Sequence, residues 1–274
     1  MMDRILEPEL MDDPEQARAY AQADFEEENQ EFVNRFLAYY PDWTEGHLLD
    51  MGCGPADIPI RFARALPDCR ITAVDASAAM IRLADQAIKA AGLENRIVLR
   101  SDRVQSVTLP EPADAGVSNS LLHHISNPLQ FWYSMKKLVK SGSYVLVIWN
   151  SVDANLATKH AGAAVADLFP DDTAAFYERI PFRYHDEATI EADLLAAGFR
   201  EIAIETVELI SRAASARDAA IALTQGTPMR SEIERRGPDA LAMATDAAER
   251  ALRQFEGSDV FAAPMSAHIV TARK

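Results

Sequence analysis

The stretch from His47 to Asp57, His-Leu-Leu-Asp-Met-Gly-Cys-Gly-Pro-Ala-Asp, constrains this chain more than any other. It reads as a short apolar strand that ends in an acid, Asp50, and then turns through Gly52 and Gly54. The residues that follow, Ile58-Pro59-Ile60-Arg61-Phe62-Ala63, read as a helix. Glycine has no Cβ, so it adopts positive φ and lets a bulky ligand approach the main chain. The start of a helix adds backbone N–H groups that lack intrahelical partners. Strand, glycine turn and helix together imply a nucleotide-like cofactor.

From His47 onward, apolar strands alternate with helical patterns. Strands are expected at Leu48–Asp50, Arg70–Asp75, Arg96–Arg100, Ala113–Asn119 and Ser143–Trp149. Helices are expected up to Leu66, over Ala78–Ala91 and over Asn127–Val139. Ser77 suits an N-cap and Gly92 a helix stop. A helix over Ala188–Ala197 precedes a sixth strand at about Glu201–Leu209, and a last strand at about Ser266–Arg273 closes the sheet. This rhythm predicts an α/β fold, a mostly parallel sheet with helices on both faces. Ligands in such sheets sit beyond the C-terminal strand ends.

Three regions follow: an N-terminal helical arm (1–40), a cofactor-binding core (41–150) and a remainder (151–274) with insertions at about 151–185 and 211–256. In the arm, Pro14 suits a first helical turn. Ala17, Tyr20, Ala21 and Phe25, then Phe32, Val33, Phe36 and Leu37, recur at helical spacing. Either these aromatics anchor the core, or the arm folds over the ligand with Tyr20 or Phe25 touching it.

Composition removes several function classes. The formal net charge is −15, from 42 acids against 27 bases. Such a chain repels phosphate backbones and anionic membranes, so neither is an expected partner. Cys53 and Cys69 form no zinc pattern and no disulfide framework. No secretion signal and no apolar run long enough to span a bilayer stands out, so a cytoplasmic protein is expected.

A dinucleotide site would show G-x-G-x-x-G, but Asp57 occupies the third glycine position. An acid there would repel a pyrophosphate. A cofactor with a cationic amino-acid end would instead favour both Asp50 and Asp57. Asp75, closing the second strand, suits ribose hydroxyls, since a carboxylate accepts from both. Asp102, after the third strand, is placed for an adenine amino group.

These motifs resemble the class I S-adenosylmethionine-dependent methyltransferases, small-molecule branch. The likeness lies in Asp-Met-Gly-Cys-Gly at 50–54, Val-Asp at 74–75, Ser-Asp at 101–102 and Asn-Ser-Leu-Leu-His-His at 119–124, in family order and spacing. It implies a Rossmann-like seven-stranded, mostly parallel sheet with the last strand antiparallel, carrying helical lid insertions. The resemblance implies that Gly52, Cys53 and Gly54 hold the methionine portion and Asp50 its amino group. Asp75 would bind the ribose diol, and Ala76 and Met80 would line the adenine face. Asp102 and the Arg103 backbone would read the adenine edge, and Asn119 and Ser120 would border the sulfonium. The product would be S-adenosylhomocysteine.

A sulfonium is already activated, so methyl transfer asks mainly for positioning, with a base where the acceptor is a hydroxyl or protonated amine. His124, with His123, is the candidate base or acceptor orienter; packing against the cofactor is the plainer reading of this pair. Tyr184 and His185 are weaker candidates beside a helix cap at Asp186. The insertion aromatics Phe169, Phe176, Tyr177, Phe182, Phe255 and Phe261 suit a lid over a small, partly apolar methyl acceptor. No metal site stands out, and a homodimer is possible. Two other classes stay open: a catalytically silent S-adenosylmethionine-binding partner or regulatory protein, and a nucleotide-dependent oxidoreductase. Asp75→Ala is expected to weaken S-adenosylmethionine binding about tenfold or more in calorimetry, about 1.4 kcal/mol; an unchanged affinity overturns the ribose assignment.

Overall fold

In the computed structural model, residues 11–125, 127–140, 143–169, 181–258 and 260–274 are described. Seven strands make one sheet: β1 (Glu45–Met51), β2 (Asp68–Asp75), β3 (Ile97–Ser101), β4 (Ala115–Asn119), β5 (Ser143–Trp149), β6 (Arg200–Ala213) and β7 (Phe261–Arg273). Their order is β3-β2-β1-β4-β5-β7-β6. β1 to β5 run parallel, and β7 inserts antiparallel between β5 and β6. The order reverses between β1 and β4, which opens a crevice at their C-terminal ends.

The N-terminal arm forms α1 (Pro14–Gln22) and α2 (Glu26–Tyr39). Asp13 caps α1 by accepting from the amides of Glu15 at 2.9 Å and Gln16 at 2.8 Å, with Pro14 in the first turn. α2 begins at Glu26, where Glu26, Glu27 and Glu28 suit the positive end of a helix dipole. α3 (Asp57–Ala65), α4 (Ala78–Ala91) and α5 (Pro128–Leu138) follow β1, β2 and β4. Ser77 caps α4 through the Met80 amide at 3.1 Å, and left-handed Gly92 ends it. α6 (Leu156–Leu168) lies after β5, and α7 (Glu187–Ala197) precedes β6. α8 (Ala216–Gln225), α9 (Met229–Glu234) and α10 (Ala240–Leu252) lie between β6 and β7.

Both sheet faces are buried. Leu48 packs with Phe32, Val33, Phe36 and Phe62 on one side, while the next residue, Leu49, packs with Trp132, Tyr144 and Phe199 on the other. That is why these strands read as continuous apolar runs, not alternating ones. Phe36 sits edge-on to Phe62 at 5.1 Å and to Trp43 at 5.4 Å. The α2 aromatics Phe32 and Phe36 are therefore core anchors.

The last two strands differ most from expectation. β6 runs on to Ala213 and β7 starts at Phe261, pairing Leu209 with Met265 through Ala213 with Phe261. Ile-Ser-Arg-Ala at 210–213 carries little strand signal of its own, and its backbone is satisfied only by the partner strand. Small residues let the insertion helices approach closely, with Ala157 and Ala161 of α6 packing in one cluster with Ala219, Ala220 and Ala248. Phe255 and Phe261 belong to this bundle, 6.2 Å apart, and Phe169 faces the Arg236 guanidinium at 5.2 Å. Phe176 and Tyr177 lie outside the described residues. Among the described residues no helix is long and apolar enough to cross a membrane.

Phe36→Ala is expected to lower stability by about 3–5 kcal/mol in urea unfolding, because it opens a cavity among three rings. A loss below about 1 kcal/mol would mean that this cluster does not anchor α2.

Candidate active site

A cavity of about 780 Å³ covers the C-terminal ends of the central strands. Its floor is the glycine turn. Gly52 has φ of +80°, and a Cβ there would stand 3.0 Å from Leu121. Gly54 has φ of +52°, and a Cβ there would stand 4.0 Å from the Tyr20 ring of α1. The turn is pinned by the Gly52 and Cys53 amides, which both donate to the Val74 carbonyl at 2.8 and 3.0 Å.

Carboxylates gather at this floor. Asp50 is 1% exposed, and among the described residues neither of its oxygens has a hydrogen-bond partner. Burial, and then Asp75, push its carboxyl up to about 8. Asp75 at the tip of β2 accepts from the Gly54 amide at 2.9 Å and the Ser77 amide at 2.8 Å. Burial still raises its carboxyl above the usual range, although those two amides oppose the shift. Burial and the charges of Asp75 and Asp57 push the Tyr20 hydroxyl up to about 12. A cationic group fits this floor: it would satisfy the buried Asp50 carboxyl and relieve its repulsion with Asp75.

The wall carries Tyr20, Gly52, Gly54, Asp75, Ala76, Met80, Asp102, Arg103, Asn119, Ser120, His123 and His124. Asp50 and Cys53 are buried beside the turn and are not on the wall. The Cys53 thiol is pushed far up by burial and by both nearby acids, which makes it a packing group. Asp57 corrects the sequence reading. It is not among the residues that line the cavity, and it accepts from Arg61 Nε at 2.7 Å and Asn29 Nδ2 at 2.9 Å. An acid in the first turn of α3 finds an arginine one turn on, and that pairing occupies it. Asp102 is on the wall but already holds Arg100 at 2.9 Å.

Beyond β4 the backbone is strained. Ser120 has φ of +54° without being glycine. The next turn brings the His123 and His124 rings 4.1 Å apart on the cavity wall. Tyr184 and His185 lie elsewhere: Trp132 Nε1 donates to the Tyr184 hydroxyl, which donates to Asp193, and His185 bonds the Phe182 carbonyl at 2.6 Å. Of the insertion aromatics among the described residues, Phe182 reaches the cavity.

Sequence reasoning missed much of the remaining wall: Glu28 and Asn29 from α2, Trp149 from β5, Leu209 and Arg212 from β6, and Met265 from β7. For Glu28 a signal existed. It stands four and eight residues before Phe32 and Phe36, on the buried stripe of α2. Its carboxyl is pushed up to about 7 by burial foremost. Arg212 and Met265 carried no such mark, because they reach the cavity only through the strand extension.

Residues 48–142 match the model of a methyltransferase domain. The chain is 36% identical over 67 residues to trans-aconitate 2-methyltransferase of Paracidovorax citrulli, covering 24% of this chain and 26% of that one. It is 31% identical over 101 residues to malonyl-[acyl-carrier protein] O-methyltransferase of a Paenibacillus species, covering 36% and 37%. The matches thus span well under half of either relative's length. Phosphoethanolamine N-methyltransferase 2 of Haemonchus contortus, solved with phosphomonomethylethanolamine and S-adenosylhomocysteine, shares the fold. Its TM-score is 0.60 at 17% identity, over 94% of this chain and 56% of that one.

The raised Asp50 carboxyl has a consequence for stability. Its folded value of about 8 lies above its unfolded one, so its stabilising contribution is complete below about pH 4 and is lost as pH rises through about 8. Thermal unfolding of the ligand-free protein is therefore expected to show Asp50→Asn gaining on the parent between about pH 5 and 9. Parallel pH curves for the two proteins would refute the shift.

Proposed function

We propose that this chain, whose residues 48–142 belong to the methyltransferase domain family on the class I S-adenosylmethionine-dependent fold, moves a methyl group from S-adenosylmethionine to a small organic molecule. One observation carries the reading: a buried carboxyl, Asp50, lacks any partner among the described residues beside a turn lean enough for a ligand to reach the backbone.

In this reading Asp50 takes the donor's amino group directly or through water, and the backbone of Gly52, Cys53 and Gly54 follows its methionine portion. Asp75 keeps two backbone amides and accepts from the ribose diol with its remaining lone pairs. Ala76 and Met80 pack against the adenine, and Asp102 with the Arg103 backbone reads its edge. Asn119 and Ser120 border the reacting centre, where the left-handed Ser120 fixes the direction of the chain. Tyr20 closes the floor from above, facing Gly54.

When bound, S-adenosylmethionine supplies an activated methyl group on a sulfonium and leaves as S-adenosylhomocysteine. The chain's own task is to hold the acceptor in line and to keep water out. α1, α2 and α8 supply side chains to one wall of a cavity of about 780 Å³, which supports an acceptor of modest size. Its aromatic and aliphatic lining, Phe32, Trp149, Phe182 and Leu209, supports a partly apolar one. His124, its ring tilted against that of His123 on the wall, orients the acceptor. The relatives' names concern trans-aconitate and a malonyl carrier, in keeping with small acceptor groups.

Calorimetry is expected to show binding of S-adenosylmethionine and S-adenosylhomocysteine and none of NAD(P). Binding of NAD(P) alone would replace this reading with an oxidoreductase. Release of S-adenosylhomocysteine over a metabolite panel then separates an enzyme from a silent binder.

A further inference from the structure

The cavity wall carries several charged side chains beside its apolar lining, and these are not equivalent. The Arg212 guanidinium from β6 is held by Glu27 at 2.7 Å, so its charge is balanced. Asp218 of α8 accepts from the Ser215 hydroxyl at 2.6 Å at a helix cap. Glu28 accepts no hydrogen bond from another side chain among the described residues and is held half-buried on the wall. Its place is fixed from both sides. Phe32, one turn on, is sealed in the core, and the next residue, Asn29, accepts from Asn119 Nδ2 at 3.1 Å at the tip of β4. Asn29 in turn donates to Asp57. The chain Asn119–Asn29–Asp57 therefore locks the first turn of α2 to the strand end that borders the reacting centre.

Resting on the methyl-transfer reading, we infer that Glu28 is the group that receives the acceptor's proton, and that the acceptor presents an N–H or O–H group to it, not a carboxylate. In the balanced step, a lone pair on the acceptor nitrogen or oxygen forms the new bond to the methyl carbon. The carbon–sulfur bond breaks, its electron pair stays on sulfur, and the acceptor's proton passes to a Glu28 oxygen. Nothing is oxidised, and solvent later takes the proton from Glu28.

An acceptor carboxylate has no proton to give. It would also set a second negative charge beside Glu28 in an apolar wall, where repulsion is weakly screened. Among the described residues, Arg212 of β6 is the cation that lowers Glu28, and it is engaged by Glu27. The pH dependence follows from the groups around Glu28. Burial raises it foremost, its own amide lowers it, Asp24 and Glu27 raise it, and Arg212 lowers it. Asp218 of α8 and the His123–His124 pair of the β4 loop line the same cavity. Glu28 is thus a neutral acid below about 7 and a base above it, so turnover rises with pH through that value.

The test uses the full chain saturated with S-adenosylhomocysteine and two probes of one shape, 2-phenylethylamine and phenylacetate. At about pH 8 the amine is expected to bind about tenfold tighter or more, and Glu28→Gln is expected to bring the two affinities together. Equal affinity, preference for the acid, binding of neither probe, or a preference that survives Glu28→Gln overturns the inference. Failure of S-adenosylhomocysteine to saturate the protein counts instead against the methyl-transfer reading. Carbon-13 titration of the glutamate carboxyls supplies a second readout. One resonance titrating near 7 is expected to vanish in Glu28→Gln and to move up in Arg212→Ala; if every glutamate titrates in the ordinary range near about 4.3, the proton-acceptor role fails.

Discussion

Neither oxygen of the carboxyl at the end of the central strand, Asp50, finds a hydrogen bond among the described residues. Burying such a group is costly, and here it is tolerated by holding the proton to about pH 8. The cost is imposed by topology. β1 lies between β2 and β4, so its tip is covered on both flanks, and the parallel register that pairs Asp50 with Ala73 and Val117 leaves no room to turn outward. Asp75 ends the neighbouring strand and adds like charge. The floor of the cavity is thus a site short of one positive group.

The rest of the molecule closes over that floor. α2 is held by core rings on one face and by the Asn29–Asn119 bond at its first turn. α1 is tied on both sides. The Asp12 carboxylate accepts from the Ala79 amide at 3.1 Å at the start of α4, and Arg230 at the start of α9 reaches Glu15 at 2.8 Å. α1 buries only Gln16 and Ala17, whereas α2 buries Phe32, Val33 and Phe36, so α2 is the firmer part of the roof.

Glu28 and Asp57 illustrate how far residue type alone misleads. Both are acids in the first turn of a helix. Asp57 meets Arg61 one turn on and is neutralised by it. Glu28 lies on the stripe of Phe32 and Phe36 and is carried inward with them. The same local preference for acids at a helix start produced one structural ion pair and one half-buried acid. Only the phase of each helix relative to the core separated them.

The sequence alone determined the elements whose signals are local. The Ser77 cap and Gly92 stop bound α4 to the residue, the strand-ending acids Asp50 and Asp75 marked the sheet's C-terminal edge, and the Gly52–Gly54 turn marked where a ligand meets backbone. These features are written in residues a few positions apart. Tertiary structure alone decided that β6 and β7 extend each other past Leu209 and Ser266, that Asp57 pairs with Arg61 off the cavity wall, and that Glu28, Arg212 and Met265 share a wall with Asn119. Those outcomes depend on pairing between segments far apart in the chain, where a strand is satisfied by its partner and a side chain takes its direction from the face its element must bury.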